Sequence, residues 1–140
     1  MADQLGRLDR NYRDKVWQVV YGADANAGVT TVFFTMESLG LSPTTWNPSV
    51  PRACRLSGGC IRNQVGSVGT AGDWTLNFYL NDGVVASATA TFSATTTKQT
   101  EPLNWSTDLL LDPLDSWWIA AVGPSRTTVI LRVTLEFELL

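Results

Sequence analysis

The sequence predicts an all-β chain: an antiparallel β-sandwich of about eight strands, jelly-roll-like, preceded by a short N-terminal arm. Three observations predict it. β-branched residues are abundant, with 17 Thr and 13 Val among 140 residues, and such side chains fit pleated, half-buried surfaces. Residues 74–92 and 128–139 alternate between apolar and polar side chains, a period of two that no helix gathers onto one stripe. No stretch carries a convincing long helical pattern, whereas Gly, Pro, Asn and Asp clusters interrupt the chain at short intervals.

The elements follow in order. Residues 1–14 hold six charged side chains against 17 in the remaining 126, so they read as an arm or short helix outside the core, and residues 15–140 as one domain. Residues 16–21 and 29–36 read as strands, with a loop at 22–28. Pro43, Pro48 and Pro51 make 42–51 an extended loop or edge. Residues 52–56 and 61–65 read as short strands flanking Gly58-Gly59. Residues 66–72, with three glycines, read as a flexible turn. Trp74, Leu76, Phe78 and Leu80 share one face of a strand. After Asn81-Asp82-Gly83, which tolerate positive φ, Val84, Ala86, Ala88, Ala90 and Phe92 share a face of the next. Residues 95–105 read as a strand weakened by Pro102, 108–115 as a turn-rich crossing with room for one turn of helix, and 116–122 as an apolar strand. A turn is expected at 123–126. In the last strand Val129, Leu131, Val133, Leu135, Phe137 and Leu139 face one way. Antiparallel strands at this spacing suggest a jelly roll. An immunoglobulin-like sandwich is the alternative, weakened by the absence of the Cys…Trp…Cys spacing.

Composition excludes several functions. The chain has no His, which removes Ser-His-Asp and Cys-His nucleophile systems, histidine zinc sites and imidazole pH switches. A net charge of −3 and a pI near 4.7 offer no basic stripe for nucleic acid. No run approaches the ~18 apolar residues of a membrane span. The polar start lacks the apolar stretch of a signal peptide, so synthesis in a cytosol is expected. Asp108, Asp112 and Asp115 do not match a calcium-loop spacing and read as turn and cap residues. The scattered carboxylates offer no catalytic pair, and the 66–72 glycines lack the Lys and helix of a phosphate loop. No cofactor, metal or enzymatic activity is expected. Cys54 and Cys60 read as reduced thiols, with a short disulfide across Gly58-Gly59 as the alternative.

The tryptophans carry the interaction signal. Only 16% of residues are charged, against a usual ~25%, so the surface is unusually neutral. Trp17 and Trp74 sit in regular strands and read as core. Trp46 lies in the Pro-rich loop and Trp105 at a strand end. Trp117 and Trp118 are adjacent, so in a strand they point to opposite faces, one into the core and one outward. An outward Trp on a weakly charged surface marks an interface. Leu5, Leu8 and Tyr12 are the possible anchors of the arm. The candidate interface residues are therefore Leu5, Leu8, Tyr12, Trp46, Trp105, Trp117 and Trp118.

Residues 70–140 resemble a known kind of protein. The resemblance rests on Trp74-Thr-Leu-Asn-Phe-Tyr-Leu-Asn-Asp-Gly-Val-Val-Ala-Ser, the Ser/Thr-rich continuation to Thr97, the apolar strand near Trp117, and the terminal Thr128-Val-Ile-Leu-Arg-Val-Thr-Leu-Glu-Phe-Glu-Leu. This half of the chain resembles the small jelly-roll structural proteins of tailed bacteriophages: capsid decoration or cement proteins, and the knob domains of fibres and spikes. The resemblance implies a virion protein, assembled in the host cytoplasm, that oligomerises and stabilises the capsid lattice. Its implied partners are itself, as a homotrimer, and the major capsid protein or another virion protein, reached in part by the arm. The alternative is a receptor- or glycan-binding knob.

Overall fold

The structure, a computed structural model, describes residues 16–25, 29–33, 49–65, 72–95, 97–126 and 129–140, the first two segments as backbone only. The expected arm, with Leu5, Leu8 and Tyr12, and the loop carrying Trp46 lie outside the described residues. So do the glycines at 66 and 69.

The described chain is all-β, as the alternation predicts. Nine strands run in order: β1 (Val16–Ala25), β2 (Val29–Phe33), β3 (Cys54–Val65), β4 (Gly72–Leu80), β5 (Ala88–Ala94), β6 (Gln99–Pro102), β7 (Leu109–Leu111), β8 (Trp117–Arg126) and β9 (Val129–Leu139). They form two antiparallel sheets. One has the order β1-β9-β3-β6, with β7 also paired to β3; the other has the order β2-β8-β4-β5. The pairing is that of one long rolled hairpin: β4 meets β5 at its tip, then β3 meets β6 and β7, β2 meets β8, and β1 meets β9. Successive pairs fall in alternate sheets, so the sequence-distant strands close the sandwich.

The apolar alternation becomes the core. Leu131, Val133, Leu135 and Phe137 of β9 are buried, as are Trp74, Leu76 and Phe78 of β4, and Ala88, Ala90 and Phe92 of β5. These inward faces pack sheet on sheet.

Five local expectations are corrected. Gly58-Gly59 does not separate two strands, because β3 runs unbroken past it along β9. A bulge at Ser57, between Leu56 and Gly58, absorbs the irregularity. Gly59 has φ +131°, and a Cβ there would run into the Thr134 carbonyl oxygen. The glycine lets two backbones approach. Residues 84–87, read as strand, belong to the hairpin loop: pairing resumes only at Ala88 opposite Phe78. The turn chemistry is as expected, with Asn81 at φ 52°. The 108–115 crossing holds the short strand β7 rather than helix, because its backbone pairs with Cys54–Leu56. Residues 22–25 extend β1, and 123–126 extend β8, since β9 and β2 supply ladder partners there.

Replacing Gly59 by Ala should cost at least ~2 kcal/mol, from positive-φ strain plus the clash. Gly58, whose Cβ position faces open space, should tolerate Ala within ~1 kcal/mol. Urea unfolding of the two variants checks this; equal losses would remove the close-approach account.

Candidate functional site

Trp117 and Trp118 divide as adjacent strand residues must. On β8, Trp117, Ile119 and Ala121 face the core and are buried. Trp117 stacks on Phe78 at 5.3 Å between centroids and 17° between planes, and tilts against Phe137 at 5.5 Å. Trp105 meets Phe78 edge-on at 6.0 Å and donates from Nε1 to the Gly58 carbonyl at 3.2 Å. Trp105 is half-buried and packs against the core. Of the sequence-selected tryptophans that are described, Trp117 is a core residue and Trp105 seals the core. Trp118 lies on the outer face, half-buried and stacked on Tyr79 at 3.6 Å and 5°. Tyr79 in turn accepts a hydrogen bond from Asn77 Nδ2 at 3.1 Å.

The two outer faces differ in chemistry. That of β8, β4 and β5 presents Trp118, Tyr79, Asn77, Thr75, Thr89, Thr91 and Ser93, and the carboxylate of Asp73, which accepts from Ser93 Oγ at 2.7 Å. That of β9 and β3 carries Arg132, Glu136, Glu138, Arg55 and Arg62.

Five of the seven exposed large apolar side chains among the described residues gather at one end, while Val122 and Ile130 lie toward the other. Val84, Val85, Leu110, Leu114 and Leu140 are 55–90% exposed. A chain of hydrogen bonds ties their segments together. Leu140 N–H donates to the Ala53 carbonyl and Leu114 N–H to that of Val50; Val50 N–H donates to Asp115 O, and Asn81 N–H to Ser116 O. Asn81 Nδ2 also reaches Asp115 Oδ1 at 3.2 Å, and Asp115 Oδ2 accepts from Asp112 N–H at 2.9 Å. The aspartates thus act as turn and cap residues, as their spacing suggests, and hold Leu114 outward at φ 73°. Sequence reading missed this apolar end. The alternation puts Val84 on the same face as Ala88, Ala90 and Phe92, which are buried, and the turn-rich 108–115 segment carries no pattern that marks Leu110 or Leu114 as exposed.

Among the described residues no three His, Cys, Asp or Glu side chains come together as a metal site, and no helix is long and apolar enough to cross a membrane. Cys54 and Cys60 are free thiols, six positions apart on one strand. Burial, with a smaller contribution from the Asp115 carboxylate, pushes the Cys54 thiol above its ordinary value.

No protein-family model matches the chain, and no curated protein matches it. Among solved structures it is similar to a chain from Bacillus endospore appendages, described as forming a novel family of disulfide-linked pili. The identity is 16%, the match covers 90% of both chains, and the TM-score is 0.41. It is also similar to a chain of the cyanophage Pam1 capsid asymmetric unit, at 19% identity over 90% of this chain and 87% of that one, with a TM-score of 0.36. At this distance neither likeness carries an activity or a partner across.

Trp117→Ala should cost ~3–5 kcal/mol of folding stability by opening a cavity among Phe78 and Phe137. Trp118→Ala should cost about 1 kcal/mol, the worth of an exposed aromatic pair. Thermal unfolding separates them, and equal losses would contradict the face assignment.

The thiols should also differ. Iodoacetamide should modify half-exposed Cys60 in the native protein and buried Cys54 only on unfolding. Because the folded state holds the Cys54 proton more tightly, that stabilisation is complete below the ordinary thiol value of 9.0 and is lost as pH rises through the folded value. Unfolding free energy should therefore fall more steeply above pH 9.0 in the natural protein than in Cys54→Val.

Proposed function

We propose that this protein is a non-enzymatic structural component of a virion, a capsid decoration protein that binds the capsid lattice as a homotrimer and stabilises it. The rolled-hairpin pairing supports reading the sandwich as a jelly roll. The observation that carries the functional reading is the apolar end. Val84, Val85 and Leu114 project from turns whose backbones are pinned by hydrogen bonds, and Leu140 follows β9 with its N–H bonded to the Ala53 carbonyl, so they are held out rather than left over. A small soluble domain that fixes several large aliphatic side chains outward is built to cover them with another protein. Closed symmetry among copies is the usual solution. The arm, residues 1–14, would add a tether to the lattice. A receptor- or glycan-binding knob is the competing reading, favoured by the neutral outer face around Trp118 and Tyr79.

Sedimentation equilibrium should give three times the 15.3 kDa chain mass at micromolar concentration. Val84→Asp with Leu114→Asp should keep the fold, because both side chains are exposed, and shift the protein toward monomer. A monomer that binds immobilised neutral glycans, with binding lost in Trp118→Ala, would favour the knob instead.

A further inference from the structure

The outer face of the β9–β3 pair is ordered in rows. Cross-strand register places Gln64 opposite Ile130, Arg62 opposite Arg132, Cys60 opposite Thr134, Gly58 opposite Glu136 and Arg55 opposite Glu138. The alternate residues of β9, from Leu131 to Phe137, and Ile61 and Asn63 of β3 are buried, so these rows look outward. Arg62 and Arg132 are exposed, and Cys60, Thr134 and Glu136 are half-buried. β9 and β3 are inner strands of their sheet, so the rows run down its middle.

The rows are polarised along the strands. On one side of the Cys60–Thr134 row two arginines stand opposite each other, an arrangement that is unfavourable within a sheet. Arg62 makes no ion pair among the described residues, and Arg132 Nη1 donates to the uncharged Leu131 carbonyl at 2.8 Å. On the other side stands one carboxylate, Glu136, whose Oε1 accepts from Ser57 Oγ at 3.1 Å. Beside it is Gly58, where an added Cβ would meet no atom within 4 Å. The next row is matched within its own chain: Arg55 lies opposite Glu138, and its Nε is 3.2 Å from Asp108 Oδ1.

We propose that this face is a self-association surface, on which two copies stack sheet to sheet about a two-fold axis that crosses the strands at the Cys60–Thr134 row. That operation reverses the strand direction. It lays Arg62 and Arg132 of each copy over Gly58 and Glu136 of the other, and the Cys60–Thr134 row over itself. Two bulky cations thus meet one carboxylate and the space that a glycine leaves. A second copy is the occupant because the face, so reversed, is its own complement in charge and shape, as an isologous contact requires. The contact is polar, and therefore weak and sensitive to salt. This inference goes beyond the capsid reading. It uses none of the apolar-end side chains, so it stands or falls independently of them.

Charge reversal tests it, in a Val84→Asp/Leu114→Asp background that removes the apolar end's contribution. The background protein should dimerise. Adding Arg62→Glu with Arg132→Glu puts only carboxylates on both sides of the axis; adding Glu136→Arg instead puts only guanidiniums there. Each should raise the dissociation constant of self-association at least tenfold, yet an equimolar mixture of the two should pair as tightly as the background protein. All three side chains lie on the outer face, so the folds should persist, as thermal unfolding checks. Cross-linking of the natural protein by a short bismaleimide needs no change of charge. Cys60 should link to its mate, since stacked sheets lie ~10 Å apart, whereas Cys54 is buried. Ile130→Cys in a Cys60→Ser chain should not link, because four residues on each side of the axis separate its copies by ~27 Å. Salt at about 1 M, which screens charges beyond ~3 Å, should suppress the Cys60 product. Reversal variants that self-associate as well as the background protein, or whose mixture fails to pair, would overturn the proposal. Equal linking at both positions, as random collision gives, would overturn it too. So would a natural protein that yields no linked dimer. Retention of that protein on immobilised polyglutamate, lost in Arg62→Glu/Arg132→Glu, would then give the arginine row to an acidic partner of another kind.

Discussion

The stack of Trp117 on Phe78 is the contact on which the rest of the structure depends. The two rings come from adjacent strands of one sheet, β8 and β4, and Phe137 of β9 meets both from the opposite sheet. Three aromatic side chains thus tie together segments that are distant in the chain. Aromatic rings bury more area than any other side chain and fix geometry through their preferred offset and edge-on arrangements. Trp105 closes the cluster from the side, and its Nε1 bond to Gly58 anchors it to the bulged part of β3. The bulge, the tight passage of Gly59 past Thr134, and the seal over the core are therefore one arrangement.

That arrangement also sets the chemistry of the outside. Once Trp117 is fixed inward, the strand geometry forces Trp118 outward, where Tyr79, its cross-strand partner, covers it. Gly123 follows from the same packing, because a Cβ there would overlap the Trp74 ring. The core thereby dictates an aromatic pair on the outer face of one sheet. The outer face of the other sheet carries the charges of Arg62, Arg132, Glu136 and Glu138.

The ends and edges of the sandwich are treated unequally. Ser106 and Glu101 cap the backbone of β5, and the edge of β6 and β7 is cut into short pieces. Hydrogen bonds of the kind that hold most turns in place here hold aliphatic side chains out into solvent. Both features make the surface uneven: one edge is closed to added strands, and one end presents aliphatic side chains to solvent. A small sandwich with few charges needs that discrimination, since a neutral surface has little electrostatic repulsion to keep unwanted contacts away.

Alternation by itself determined the fold class, the inward faces of β4, β5 and β9, and the rule that Trp117 and Trp118 must part, because side-chain direction in a strand is local geometry. It did not determine which of the two goes inward, since both are equally apolar and only the position of Phe78 and Phe137 in the assembled sheets distinguishes them. The continuity of β3 past Gly58-Gly59 is hidden from the sequence for a related reason. A glycine pair looks like a turn until a partner strand is present to run past it, and β9 lies more than seventy residues further along the chain. The apolar end was illegible because Val84, Leu110 and Leu114 share their residue type with the core. Only tertiary structure, by pinning the turns that carry them, decided that they face water.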